Sequence, residues 1–205
     1  MSDELLPGSV PDDDLLARIA AGDEMAFTTL FRRRQSDVYR VALLMTGLPA
    51  TAEDVTQEVF LVVMRDAARY ESGRATAKSW LCGIARNHAR RRLDRDGRVE
   101  PLVEDCEHEM APAAVQADPL GEIANGQRLD ALRRAILSLP LRYREVVVLC
   151  DLEEISYADA AAALDCAVGT VRSRLHRARA LLAAKVRARL DPVDGRSRKI
   201  SRCPA

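Results

Sequence analysis

Residues 156–180 read SYADAAAALDCAVGTVRSRLHRARA, and the way this stretch divides decides the fold. Ser156 and Asp159 have the spacing of an N-terminal capping box, opening a helix that runs to Leu164. Asp165-Cys166-Ala167 makes a short turn, and a second helix is predicted from Val168 to Leu190. Two helices across so short a turn have the form of a helix-turn-helix. At about 100° per residue, Val171, Leu175, Ala178 and Leu182 share one face of the second helix. Ser173, His176 and Arg177 fall opposite, with Arg172, Arg174 and Arg179 on the flanks. One face packs while the other presents donors. Arginine can read guanine in bidentate fashion, and Ser, Thr and flanking Arg can hold phosphates. Residues near the N-terminus of such a helix lie closest to the bases. Thr170, Arg172, Ser173 and Arg174 are therefore better base-reading candidates than Arg187 or Arg189. The plainer alternative is a solvated basic face on a bundle helix.

Working outward, the helical pattern begins near Gln127. One helix ends at Pro140 and the next covers about Leu141 to Asp151. Val146-Val147-Val148-Leu149 has strand propensity, but it is short and its flanks are helical. Residues 99–126 contain Pro101, Pro112, Pro119 and Gly121, with seven acidic side chains and no basic one, and read as a flexible linker. An ordered lid is the alternative. The tail 191–205 is polar and reads as disordered.

The first segment, 12–98, reads as several helices. Leu15, Leu16 and Ile19 form a short apolar face, which Gly22-Asp23 breaks before capping the next helix. Ala26, Phe27, Leu30, Phe31, Val38, Val41, Ala42 and Met45 then recur at helical spacing. Gly47 and Pro49 end that helix. Thr51 and Asp54 suggest a capping box, with a helix from about Ala52 to Arg69. Gly73 marks a loop, and a further helix spans about Thr76 to Leu93. The fold class is thus all-α: two small helical domains, 12–98 and 127–190, joined by a flexible acidic linker, the C-terminal one a helix-turn-helix.

The 205 residues balance 31 basic against 31 acidic side chains. The charges are nevertheless segregated. Residues 1–71 hold 7 basic and 13 acidic groups, residues 72–99 hold 8 and 2, and residues 128–190 hold 12 and 7. Two blocks suit phosphate, and the acidic ones suit protein partners or solvation. No apolar run approaches the ~20 residues of a membrane span, so no membrane insertion is expected. Asp12, Asp13 and Asp14 stand where a signal peptide needs an apolar core, which predicts a cytoplasmic location. The five cysteines, Cys82, Cys106, Cys150, Cys166 and Cys203, show no C-x-x-C pair and are read as packing or exposed thiols.

Two further elements carry chemistry. Lys78, Arg86, Arg90, Arg91 and Arg92 lie on or near one helix with Trp80, Asn87 and His88. Aromatic, amide and guanidinium groups on one basic element suit single-stranded DNA. Alternatively, Trp80 is a core residue and the arginines a solvated face. On the helix from Ala52, Val55, Val59, Val62 and Val63 form the buried stripe. Leu61 and Met64 fall on the opposite side with Asp54, Gln57 and Glu58. Apolar anchors ringed by carboxylates suggest a docking patch for a basic protein, unless a third helix covers them. A metal site from Glu53, Asp54 and Glu58 lacks a second acidic helix, so no metal or cofactor is expected.

Four stretches together resemble the extracytoplasmic-function (ECF) group of bacterial RNA polymerase sigma factors. They are AEDVTQEVFL at 52–61, Ser79-Trp80-Leu81 with Ile84-Ala85-Arg86-Asn87, Leu139-Pro140 with Arg144-Glu145-Val146-Val147, and VGTVRSRLHRAR at 168–179. The resemblance implies that Asp54, Gln57, Glu58 and Leu61 dock on the β′ clamp helices of core RNA polymerase. It implies that Trp80, Arg86, Asn87, Arg90 and Arg91 serve the minus-ten promoter element. It further implies that Thr170, Arg172, Ser173, Arg174, His176, Arg177 and Arg179 serve the minus-thirty-five element, with the same domain touching the β flap. Such factors are often restrained by an anti-sigma factor. Three departures stand out: Val62-Val63-Met64 where the family commonly has Arg-Ala-Trp, Cys82-Gly83 where it has Tyr-Arg, and Asp165 where the turn commonly has Gly. Cys82-Gly83 predicts local loosening of its helix. Asp165 tolerates left-handed geometry at modest cost.

Two other classes compete. A two-domain response regulator needs an α/β receiver, and residues 12–98 show no alternating strands. A helical metal-dependent nucleotide hydrolase needs a second acidic motif, and no phosphate loop or Ser-His-Asp grouping is present. No covalent chemistry is therefore expected of this chain.

Overall fold

The structure is a computed structural model that describes residues 10–97 and 123–190. The tail 191–205 and residues 99–122 of the expected linker lie outside the described residues.

Four helices build the first module: α1 (Asp12–Ala20), α2 (Glu24–Thr46), α3 (Pro49–Asp66) and α4 (Ala77–Arg95). Asp23 caps α2, its carboxylate accepting from the Met25 and Ala26 amides at 2.9 and 3.0 Å. Gly47, at φ 76°, ends α2 in the left-handed region that glycine enters without penalty. The expected Thr51–Asp54 capping box does not open α3. That helix starts at Pro49, and Leu48 at its N-cap offers no side-chain cap. Proline at the first position has its φ preset and no amide to satisfy, which makes a cap dispensable. Leu15, Leu16, Leu30, Val38, Met45, Val55, Val59, Val63 and Leu81 are buried between these helices, each leucine or valine contributing about 1.5–3 kcal/mol. Phe31 and Phe60 meet edge-on at 4.8 Å, joining α2 to α3.

The second module holds α5 (Ile123–Leu137), α6 (Leu141–Val146), α7 (Tyr157–Leu164) and α8 (Val168–Leu190). Helix α5 starts inside the stretch expected to be linker. The helix expected to reach Asp151 changes at Val147 into a wider π turn, Val147–Leu152, closed by Glu153 N–H to Val148 C=O at 3.0 Å. Val146 to Leu149 are all buried, which explains their strand-like composition inside a helical core. The chain reverses at Glu154, a non-glycine at φ 57°. Ser156 caps α7 by accepting from Asp159 N–H at 3.1 Å, as its spacing predicts. Asp165 adopts φ 50°, the left-handed geometry expected of the turn.

The two modules pack on each other. Helix α4 lies on α7, α2 meets α5 and the π turn, and their buried side chains form one continuous core. Gly83 does not break α4. It lies under α7, where a Cβ would stand 3.4 Å from that of Ala163. Arg144 sews the modules at two helix ends: its guanidinium donates to Met45 C=O at 2.6 Å, to Leu139 C=O at 3.1 Å and to Leu137 C=O. These carbonyls are the unsatisfied acceptors at or just past the C-terminal ends of α2 and α5, where a cation is favoured. Burial pushes the Arg144 guanidinium down to about 10, against the opposing pull of Glu145.

Candidate nucleic-acid interface

The helix-turn-helix divides as its periodicity requires. Val171, Leu175 and Ala178 of α8 are buried against the core with Ala160, Ala161 and Leu164 of α7. Arg172, Ser173, His176, Arg177 and Arg179 are exposed, with Thr170 and Arg174 half-buried beside them. A rigid inner face thus holds a row of donors toward solvent. Ser173 donates back to Thr170 C=O at 3.1 Å. Arg179 also turns inward, gripping Asp151 through two bonds of 3.0 and 2.6 Å, which raises its pKa.

The basic helix of the first module is arranged differently. Arg90 and Arg91 are exposed on α4, and Asn87 is exposed beside them. Trp80 is half-buried, its ring 5.5 Å from that of Tyr70. Arg86 is 7% exposed: it donates to Glu145 of α6 at 2.6 Å and to Asn87 Oδ1 at 2.9 Å. Of the five residues read for the minus-ten element, four therefore border solvent and Arg86 is held between modules. Helical spacing carried a signal for this. Arg86 lies four residues after Cys82 and three before Ala89, both fully buried, so it shares the packing stripe.

On α3, Asp54, Gln57 and Leu61 are exposed, Leu61 by 63% and its neighbour Met64 by 61%. No described helix covers these two apolar side chains. Glu58 is half-buried and already engaged by α4: Arg92 donates to it at 2.5 Å and His88 Nδ1 lies 2.7 Å away. Burial pushes the Glu58 carboxyl up, yet the hydrogen bonds from Arg92 and His88 outweigh this and hold it below its ordinary value.

Sequence reading missed Glu153. Its carboxylate is fully buried and takes a two-pronged contact from Arg40 of α2, at 2.6 and 2.8 Å. Lys78 of α4 approaches the same carboxylate at 3.2 Å and donates to the Glu153 carbonyl at 2.7 Å. Nothing local in residues 147–155 announces this role. It follows from the π turn and the reversal at Glu154, which aim Glu153 at the other module.

Comparison with known proteins accords with this geometry. Residues 30–99 match the Sigma-70 region 2 family and residues 129–182 match Sigma-70, region 4. The chain is 41% identical over 167 residues to the ECF RNA polymerase sigma factor SigE of Mycolicibacterium smegmatis, covering 78% of this chain but 62% of that protein's length. It is 36% identical over 172 residues to SigM of Mycobacterium tuberculosis, covering 84% and 83% of the two chains. With the sigma-E factor of Escherichia coli it shares 35% over 184 residues, or 85% and 94%. Among solved structures it resembles CnrH bound to the cytosolic domain of CnrY, with a TM-score of 0.64 at 25% identity, covering 86% of this chain and 97% of that one. It also resembles RpoE bound to the anti-sigma factor NepR from Bartonella quintana, with a TM-score of 0.55 at 27% identity, covering 82% and 98%. With both sigma regions matched in order on an all-helical frame, the chain belongs to the ECF RNA polymerase sigma factors, which direct promoter-specific transcription initiation by RNA polymerase.

Proposed function

We propose that this chain docks on core RNA polymerase through α3 and reads promoter DNA with α4 and α8. Helix α8 carries the minus-thirty-five contacts: Thr170, Arg172, Ser173 and Arg174 nearest the bases, and His176, Arg177 and Arg179 along the backbone. Helix α4 carries the minus-ten contacts through Trp80, Arg86, Asn87, Arg90 and Arg91. Asp54, Gln57, Glu58 and Leu61 form the surface for the β′ clamp, and the second module touches the β flap. Residues 12–98 and 127–190 are the two functional modules, joined through 99–126. Two modest DNA contacts on one polymerase gain from effective concentration, and binding falls steeply with salt as phosphates are neutralised. The chain works in the cytoplasm, performs no covalent chemistry of its own, and has an anti-sigma factor as a further partner. A solved relative captured with the anti-sigma factor NepR supports that last assignment.

The observation that carries the reading is the two-faced α8, locked by Val171, Leu175 and Ala178 and lined outside by Arg172, Ser173, His176 and Arg177. The test is transcription in vitro with purified core polymerase and a pool of promoter fragments. Start-site-specific transcripts that require the protein are expected. A folded chain that neither yields transcripts nor co-migrates with active core would refute the reading. Asp54→Ala with Leu61→Ala lowers core affinity without unfolding the chain, and unchanged affinity would reject the clamp surface.

A further inference from the structure

Arg179 stands apart from the other arginines at the start of α8. Among the described residues, Arg172, Arg174 and Arg177 make no ion pair, whereas Arg179 is held. Its Nε and Nη2 donate to the two oxygens of Asp151 at 3.0 and 2.6 Å, a parallel fork between residues 28 positions apart. The Tyr157 hydroxyl, from the first residue of α7, lies beside the same guanidinium. The grip is one-sided, since the Arg179 side chain stays 56% exposed. A guanidinium has five N–H donors, so the fork leaves donors for a partner outside the protein.

Asp151 owes its place to the π turn, Val147–Leu152. The wider turn changes the direction of the side chains that follow from what an α-helix would give, and such turns often mark functional sites. Two carboxylates leave this segment in different directions: Glu153 is buried against Arg40 of α2, while Asp151 meets α8 at the surface. An exposed fork adds little to stability, because solvent screens it. By charge alone, a carboxylate beside a phosphate-binding face also opposes DNA. Neither stability nor charge therefore accounts for Asp151, but positioning does. A free arginine side chain loses rotamer freedom when a phosphate fixes it. Arg179 has already lost that freedom in the folded chain.

We propose that Asp151 is a positioning residue for DNA binding: from the π turn it presets the Arg179 guanidinium, with Tyr157 beside it, so that the remaining donors meet a backbone phosphate along α8. Asp151 itself touches no DNA. This role rests on the reading of Arg179 as a phosphate contact.

The full chain is titrated at low salt with a short fluorescein-labelled duplex DNA of random sequence, because phosphate contacts act without sequence. The parent is compared with Asp151→Asn, Arg179→Ala and the double variant, and Asp151→Ala provides a second removal of the carboxylate. Arg179→Ala is expected to lower the slope of log affinity against log salt by about 1, the loss of one phosphate. Asp151→Asn keeps the shape of the side chain, removes its charge and replaces one acceptor with a donor. It is expected to weaken binding about threefold to tenfold, where charge alone would strengthen it. In the Arg179→Ala background the same change is expected not to weaken binding. Every variant is expected to unfold near the parent's thermal midpoint, which a bridge that merely braced the module would lower.

Equal or tighter binding by Asp151→Asn and Asp151→Ala would overturn the proposal while leaving Arg179 a phosphate contact. An unchanged salt slope in Arg179→Ala would remove the contact itself, and the positioning role with it. Affinity lost only together with a lowered midpoint would assign Asp151 to the fold alone. A parent chain that binds no duplex at low salt would also sink the proposal, whereas the sigma reading is decided separately by transcription with core polymerase.

Discussion

Helices α4 and α8 are both basic and both read as DNA-facing, yet the fold treats them differently. On α8 the apolar stripe is clean, with Val171, Leu175 and Ala178 buried, so Arg172, Arg174, Arg177 and Arg179 fall on the outer half or its margin. On α4 one arginine lies in the stripe itself, and the fold supplies Glu145 to receive it. A basic helix is therefore not one kind of object. Whether its charge meets solvent or a carboxylate depends on which residues share the packing stripe, and on what another element brings to it.

The sharpest way to break this contrast is to truncate one arginine on each helix. Arg86→Ala leaves Glu145 buried without a partner and is expected to cost about 3–5 kcal/mol of unfolding free energy, measured by denaturant titration. Glu145→Ala added to it should recover most of that loss. A cost under ~1 kcal/mol would mean that Glu145 reaches water and that the modules stand apart in solution. On α8, Arg174→Ala should leave stability within about 0.5 kcal/mol and instead lose about 1–3 kcal/mol of preference at one upstream base pair. Weakening of all sequences alike, in a competition assay across promoter variants, would remove its base-reading role.

Smaller effects refine the picture. Ser156→Ala removes the cap of α7 and should cost about 1 kcal/mol, a loss that thermal unfolding would register. A drop near zero would show that α7 is held by packing alone. Glu58 supplies a pH test of the α3–α4 seam. Its folded pKa lies below the ordinary 4.5, so its contribution is complete above that value and disappears as pH falls through the folded pKa. Glu58→Gln should flatten this acid limb by less than ~1 kcal/mol, since the pair is partly solvated. An unaltered limb would assign the acid sensitivity elsewhere. Arg179→Ala should change stability least, because its bond to Asp151 is exposed, and salt should weaken what remains.

Much of this was legible in the chain because helical periodicity is a local property. The starts of α2 and α7, the left-handed turn at Asp165 and the two faces of α8 follow from residues within a few positions of one another. The start of α3 was misread because Thr51 and Asp54 mimic a cap inside a helix that Pro49 had already begun. The exposure of Leu61 and Met64 was readable from the same spacing. The engagement of Glu58 by His88 and Arg92 was not, since it joins residues 30 and 34 positions apart.

Local sequence specifies an all-helical chain with a helix-turn-helix at 157–190 and basic, acidic and apolar faces on definite helices, because caps, turns and a 3.6-residue repeat act over short range. Which charges stay free is settled by long-range packing. Arg86 meets Glu145 across 59 residues, and Arg40 meets Glu153 across 113. Those pairings depend on a π turn, a left-handed Glu154 and the close passage of α7 over Gly83, and a buried charge is settled by whatever the whole fold brings within reach of it.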